Sequence, residues 1–337
     1  MKTATQKFCA LLLAFLLPVF LLAGCAPAAP SADDGRLKVI ATTFPGYDFA
    51  RAIGGDNIAL KMLLLPGAET HSFEPTPQDV ISIQNCDVFI YGGGDSDSWV
   101  DGILASMNIE NMTIVKLMDI VEVVEEELVE GMTPEDHSDH DHDHDHDDDH
   151  DHGEAEYDEH VWTAPKNAKR IARAVCDTFC LLESADPAKV SAYQQALVQH
   201  LTALEELDAA FTQAVAAGQR KTLIFGDRFP FRYFVDAYGL DYFAAFPGCA
   251  ADTEPSAETV AFLIDKVRAE NIPVVFYIEL SNERMADTIA EETGAKKLLL
   301  HACHNISRSD FQSGATYLSI MQQNLEHLRE ALGEALA

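Results

Sequence analysis

The chain is poor in positive charge. Its 337 residues carry 23 Lys and Arg against 55 Asp and Glu, a formal charge of −32 at pH 7. Sequence-independent nucleic-acid binding needs Lys and Arg to displace phosphate counterions, so no nucleic-acid partner is expected. Docking on anionic lipid through a basic patch is excluded on the same ground. Long apolar runs are scarce too. The one present lies within the first 25 residues, which rules out a multi-span membrane protein. Of the seven cysteines, Cys9 and Cys25 fall in that same segment. The remaining five (Cys86, Cys176, Cys180, Cys249 and Cys303) are odd in number and irregularly spaced, so they give no disulfide framework. Cys86, Cys176 and Cys180 sit among apolar residues and read as small core side chains. Whether Cys249 and Cys303 pair is left open. Catalytic signatures are also missing: there is no G-x-S-x-G elbow and no H-E-x-x-H pair. A zinc-hydrolase reading would have to set His71, His160 and His301 around a water with Glu74 or Asp227 as base, and the chain is not read as an enzyme.

What is present begins with an address. Lys2 and Lys7 precede an apolar stretch, Cys9 to Ala23, that ends in Leu22-Ala23-Gly24-Cys25. The stretch is too short for a stable span and is flanked like a signal peptide. Small residues before a cysteine mark a bacterial lipoprotein cleavage site, with Cys25 as the lipidated residue. Residues 1–24 are thus expected to be a signal peptide. Residues 25–36, rich in Pro, Ala, Ser and Asp, follow as lipidated Cys and flexible tether. The mature protein is expected outside the cytoplasm, held to the bacterial cell membrane by lipid.

Two similar halves follow. Apolar, β-branched-rich runs at Leu37–Thr43, Ile58–Leu65, Asp87–Tyr91 and Met112–Leu117 alternate with helical stretches, and four more occur at Thr222–Phe225, Tyr242–Phe246, Val274–Ile278 and Leu298–Leu300. Strands alternating with helices imply parallel sheets covered on both faces. Between the sets, Asp186-Pro187 reads as a helix start. Tyr193, Leu197, Leu201, Leu204, Leu207 and Phe211 then recur every three or four residues. Some 30 residues at 1.5 Å each give a helix of about 45 Å, long enough to run along two lobes. The expected fold class is α/β: two parallel-sheet α/β lobes joined by a long rigid connecting helix, with a metal site in the interlobe cleft. The N-terminal lobe is placed at 37–185 with a His/Asp-rich loop at 133–159, the connecting helix at 186–217, and the C-terminal lobe at 218–337.

That loop carries His137, His140, His142, His144, His146, His150 and His152, seven of the 13 histidines, mostly separated by Asp. It has nothing apolar to bury. Alternating imidazole and carboxylate suit Zn²⁺, and less well Ni²⁺ or Cu²⁺. Chelation there is expected to be multivalent, loose and pH-dependent, since each imidazole must be neutral to bind.

A second, ordered site is expected from the other histidines. His200 and His327 lie in helical patterns and read as packing or solvent-facing residues. His71 follows the strand end Leu63-Leu64-Leu65-Pro66-Gly67, His160 sits in Asp158-Glu159-His160-Val161-Trp162, and His301 ends Lys297-Leu298-Leu299-Leu300. Ligands in open α/β sheets bind beyond the carboxyl ends of strands, so histidines at such ends in both halves can converge on one ion.

These residues carry a family resemblance. Thr43-Phe44-Pro45, Pro66-Gly67 with His71-Ser72-Phe73-Glu74-Pro75-Thr76-Pro77, and Tyr91-Gly92-Gly93-Gly94 with Trp99 occur in order. The His-rich loop before Glu159-His160-Val161-Trp162 follows, then Tyr238-Gly239-Leu240, Glu254-Pro255-Ser256, Glu279, Glu291–Ala295 and Tyr317–Leu325. The glycine run alone fits no phosphate-binding spacing. Together the segments resemble the metal-binding lipoproteins of ABC importers for zinc and manganese, the ZnuA/TroA/PsaA type, over almost the whole mature chain.

The resemblance implies one metal in the cleft with two ligand positions per lobe. His71 and His160 match the N-lobe pair. In the C-lobe, the place usually held by His or Glu falls on Arg228, whose guanidinium cannot ligate a cation. The fourth position, counted seven residues beyond Gly294, falls on His301. Asp227, His304, Cys303 or water is left to complete the shell. Three imidazoles with at most one carboxylate suit four-coordinate Zn²⁺, whereas Mn²⁺ prefers more oxygen. The expected function is therefore an extracytoplasmic solute-binding component, a monomer, that captures zinc and delivers it to an ABC permease with a cytoplasmic ATPase subunit. The alternatives are a manganese- or nickel-specific homologue and a metal-buffering or adhesin lipoprotein.

Overall fold

The computed structural model describes residues 35–70, 73–132, 156–249 and 256–334. The lipidation candidate Cys25, the seven tract histidines and His71 lie outside the described residues. The body described below begins at Leu37. No helix among the described residues is long and apolar enough to cross a membrane.

The first half forms a four-stranded parallel sheet from β1 (Leu37–Ala41), β2 (Ile58–Met62), β3 (Val88–Tyr91) and β4 (Thr113–Lys116), ordered β2-β1-β3-β4. Helices α1 (Phe44–Gly54), α2 (Pro77–Gln84) and α3 (Trp99–Ala105) connect these strands. Val88, Phe89, Ile90 and Tyr91 are all buried, as a central parallel strand covered on both faces requires. The second half repeats the order as β6-β5-β7-β8, from β5 (Thr222–Phe229), β6 (Asp241–Pro247), β7 (Val274–Tyr277) and β8 (Lys296–Leu299). In each sheet the strand order reverses between the first and third strands, so crevices open beyond β1/β3 and β5/β7.

Two long helices lie between the sheets in sequence: α4 (Pro165–Leu182) and α5 (Pro187–Ala217). Asp186 caps α5, its carboxylate accepting from the amides of Ala188 at 3.0 Å and Lys189 at 3.2 Å. With 31 residues, α5 is about 46 Å long. It packs against α1 and α4 of the first half and, in the second, α6 (Arg232–Tyr238) and α10 (Tyr317–Leu332). The remaining helices are α7 (Ala257–Glu270), α8 (Arg284–Thr293) and α9 (Arg308–Ser313). Tyr193, Leu204, Leu207, Phe211, Ala214 and Val215 form the apolar stripe of α5 that both halves share. One apolar core therefore runs through the molecule, from Val39 and Phe49 through Trp162 and Phe211 to Phe225 and Tyr317. Smaller clusters around Phe89 and around Val275 fill the outer side of each sheet.

β5 runs further than its apolar stretch predicts. Its pairing with β6 shifts register between Phe225 and Arg228, a bulge that continues the strand while re-aiming its side chains. Gly226 permits it: a Cβ there would lie 2.6 Å from the Cα of Ala286 on α8. The bulge sets Arg228 at the cleft between the lobes.

Candidate metal centre

The site grows from the segment that leads into α4. Residues 124–126 and 156–158 pair as a short antiparallel ladder, with Glu126 N donating to Glu156 O at 2.8 Å and Asp158 N to Val124 O at 3.0 Å. His160 follows and opens a 3₁₀ turn, Val161–Thr163. Thr163 Oγ1 donates to His160 O at 2.8 Å, and Trp162 Nε1 donates across the lobes to Ala302 O at 2.7 Å. The backbone of His160 is thus fixed on both sides.

The His160 ring is fully buried, and its Nδ1 lies 3.1 Å from Asp158 Oδ1. That oxygen also accepts from the His160 amide at 2.7 Å. A carboxylate on Nδ1 sets the tautomer that leaves Nε2 as the free lone pair. Burial works to lower the His160 pKa, but the carboxylates of Asp158, Glu159 and Glu126 outweigh it and hold the pKa above the ordinary imidazole value. The second oxygen of Asp158 is buried with no hydrogen-bond partner among the described residues. Such partly compensated negative charge behind an imidazole favours a cation in front of it.

The carboxylate of Glu159, on the same side as the His160 ring, is held by the glycine loop after β3. Ser96 donates to it twice, through its amide at 3.0 Å and through its hydroxyl. Burial pushes the Glu159 carboxyl up to about 7, against the lowering pull of His160 and Ser96. Gly94 makes this approach possible. Its φ is +75°, and a Cβ there would sit 2.6 Å from Glu159 Cβ. The amides of Gly92 and Gly93 donate to Asp97 Oδ2 at 2.7 and 3.1 Å, so the loop braces Glu159 instead of cradling a phosphate.

The opposite wall comes from the loops after β7 and β8. Glu279 accepts from the amides of Ala302 at 2.7 Å and His304 at 2.9 Å, which bends the His301–Ile306 segment over the cleft. His304 then meets His160 edge to face, with ring centroids 4.9 Å apart, and its Nε2 lies 3.7 Å from Glu159 Oε1. Among the described residues, Glu159, His160 and His304 form a group whose donor atoms all lie within 4.8 Å of one another. A tetrahedral zinc shell with bonds of about 2.0–2.1 Å has edges of about 3.3–3.4 Å, somewhat tighter than the spread of up to 4.8 Å among these atoms.

The other expected ligands sit elsewhere. His301 turns back into its own loop: its Nδ1 accepts from Cys303 N at 2.9 Å, and Asn324 of α10 brackets its backbone, accepting from the amide at 2.9 Å and donating to the carbonyl at 2.8 Å. Asp227 accepts from Arg228 N at 2.9 Å and Ile278 N at 3.2 Å. Its buried carboxyl, raised by desolvation, lines a neighbouring cavity instead of the donor cluster. Cys249 and Cys303 are both free thiols. His200 packs against Phe49, and His327 bonds the carbonyl of Leu299; neither reaches the cleft. Glu159 was not singled out as a ligand from sequence. Its signal in the sequence is its place in Glu159-His160-Val161-Trp162, directly before the expected ligand His160.

Two parallel-sheet lobes sharing one long helix, with imidazoles and a carboxylate converging between them, define a two-lobed metal-binding protein of the solute-binding type. The family described as zinc-uptake complex component A, periplasmic (ZnuA), matches residues 39–331, and the chain belongs to that family. It is 28% identical over 327 residues to the zinc-binding lipoprotein AdcA of Streptococcus pneumoniae R6, covering 96% of this chain and 61% of AdcA. This chain thus spans about three fifths of that relative. It is 29% identical over 319 residues to the high-affinity zinc uptake system protein ZnuA of Bacillus subtilis 168, covering 93% and 94% of the two. The crystal structure of the metal-dependent lipoprotein YcdH from Bacillus subtilis aligns with a TM-score of 0.71 at 26% identity, over 88% of this chain and 100% of that one. The Zn(II)-bound ZnuA-like domain of Streptococcus pneumoniae AdcA aligns at 0.69 and 24%, over 88% and 99%; at that identity the likeness is one of fold.

Proposed function

We propose that this chain is the extracytoplasmic solute-binding component of a zinc importer, taking Zn²⁺ into the interlobe cleft and passing it to a membrane permease driven by a separate ATPase subunit. The observation that carries the reading is the meeting of Glu159 and His160 from one lobe with His304 from the other, donor atoms within 4.8 Å. Imidazole and carboxylate are the donors that four-coordinate Zn²⁺ takes, and Mn²⁺ would require more oxygen. The names of the relatives agree with zinc. The ligand set proposed here is Nε2 of His160, the ring of His304 and the carboxylate of Glu159. His71, matched from the sequence, supplies the fourth donor. This replaces His301, whose Nδ1 accepts from Cys303 N, and Asp227, whose two oxygens accept from Arg228 N and Ile278 N.

The lobes are taken as the segments 37–185 and 218–337 on either side of the connecting helix. A lipid on Cys25 would keep the protein beside its permease, and the acidic exterior and histidine tract would raise the local cation concentration, chiefly an on-rate effect. Capture needs no wide closure, because the ion replaces protons and water between walls that already stand close. The test is zinc affinity by competition with a chelator. His160→Ala and His304→Ala are each expected to weaken tight binding about 100-fold or more, beyond the 10–100-fold typical of residues that only orient a ligand. His301→Ala should leave it within about threefold. Wild-type affinity in His304→Ala, with loss in His301→Ala, would reverse the assignment.

A further inference from the structure

Arg228 is a buried cation beside a site for a cation. Its side chain is 8% exposed, and it lines the same cleft as His160 and His304. A fixed positive charge there would oppose the ion unless an anion neutralised it. Asp227 is one such anion, its carboxylate coupled electrostatically to the Arg228 guanidinium, and Glu69 is a second, with its Oε1 3.4 Å from Arg228 Nη1. The pair joins the lobes: Glu69 belongs to the loop after β2, and Arg228 is aimed at the cleft by the bulge in β5. That loop is already tied on its far side, where Gly67 N donates to Ile306 O at 2.8 Å and Asn305 Nδ2 donates to Leu65 O at 3.0 Å and Ala68 O at 2.7 Å. Both charged residues also line the adjacent cavity of about 200 Å³, which holds Asp227, Ser281 and Asn282. The pair therefore forms part of the wall between the metal cleft and that second cavity.

We infer that Arg228 is a positioning residue, and that its ion pair with Glu69 is a latch joining the lobes across the cleft and slowing escape of the ion held by His160 and His304. The inference rests on the cleft reading proposed above. In it, β5 contributes a tether where the family resemblance expects a ligand. Glu69 is 44% exposed, so the pair is partly screened and its effect is modest.

The test is the rate of zinc release to excess chelator from the full chain loaded with one equivalent of zinc chloride. Glu69→Gln and Arg228→Gln are each expected to speed release about twofold to fivefold, as befits an ion pair worth up to about 1 kcal/mol. The double variant should release no faster than the faster single one, because the two share one interaction. Arg228→Lys, which keeps the charge, should recover at least half of the slowing. Unchanged release in either single variant, slower release in Arg228→Gln, failure of Arg228→Lys to recover, or effects that multiply in the double variant would each overturn the latch. His160→Ala, run alongside, separates the two readings. If it releases zinc as the wild type does, the cleft reading falls and takes the latch with it. If it releases faster while Arg228→Gln does not, the latch alone falls.

Discussion

On the proposed ligand set, the carboxylate of Asp158 tunes His160 from behind, acting on the ion only through the ring. It sits on Nδ1 at 3.1 Å in a fully buried setting, which fixes the tautomer and raises the basicity of Nε2. Asp158→Asn keeps an acceptor for the ring but removes the charge, so zinc affinity is expected to fall about 10–100-fold, read by chelator competition. The same electrostatics give a pH dependence. A proton and the ion compete for the same lone pairs, and both His160 and Glu159 hold their protons more tightly than free side chains, Glu159 to about 7. Zinc affinity should therefore be full above about pH 7 and decline as pH falls through it, as protons reoccupy the ligands. Affinity that stayed flat between pH 8 and pH 6 would show that neither group coordinates. At this scale the sequence is least informative. His301 and His304 are three residues apart, and the sequence favours His301, leaving His304 only among the residues that could complete the shell. What turns the His304 ring, and not that of His301, toward His160 is the loop backbone, with Cys303 at φ +61° and Glu279 gripping the amides on either side of it. A left-handed cysteine has no sequence signature, because Gly and Asn are the residues that normally adopt that conformation.

Secondary-structure elements were far more legible. All eight strands appear where apolar, β-branched runs occur, and the connecting helix begins at Pro187 behind its Asp186 cap and ends at Ala217. These features depend on local periodicity and capping, which a sequence displays directly. The extension of β5 through Phe229 was not legible, since it depends on a bulge whose glycine is required by a helix 60 residues later. The glycine loop after β3 is similar: the sequence excludes a phosphate cradle there but does not give the loop's purpose. Gly94→Ala tests that purpose. A β-carbon at φ +75° is strained, and this one would also lie 2.6 Å from Glu159 Cβ. The expected result is a loss of about 1–3 kcal/mol of stability, read from the denaturant midpoint, together with weakened zinc binding as Glu159 is displaced from Ser96. Full zinc affinity in a destabilised Gly94→Ala protein would remove Glu159 from the shell.

In the whole molecule, the two sheets fold around a common interior. Tyr317 shows how. From α10 its amide donates to Asp48 on α1 at 2.7 Å, and its hydroxyl donates to Trp162 O at 2.8 Å; Trp162 Nε1 in turn donates to Ala302 O at 2.7 Å. With α5 packed on both lobes, neither can expose its inner face without uncovering the other. Equilibrium unfolding should accordingly be a single transition. Tryptophan fluorescence reports the first half, where both Trp99 and Trp162 lie. It should coincide with far-UV circular dichroism, which reports both halves. Tyr317→Phe leaves the buried carbonyl of Trp162 without its donor, so it should cost about 1–3 kcal/mol and lower the midpoint equally for both probes. Saturating zinc should raise both together, since an ion that binds only the folded state adds its binding free energy to the whole cooperative unit. A fluorescence transition that ran ahead of circular dichroism, or a zinc shift in one probe alone, would mean that the lobes are independent. The shared core would then not be what holds Glu159 and His160 opposite His304.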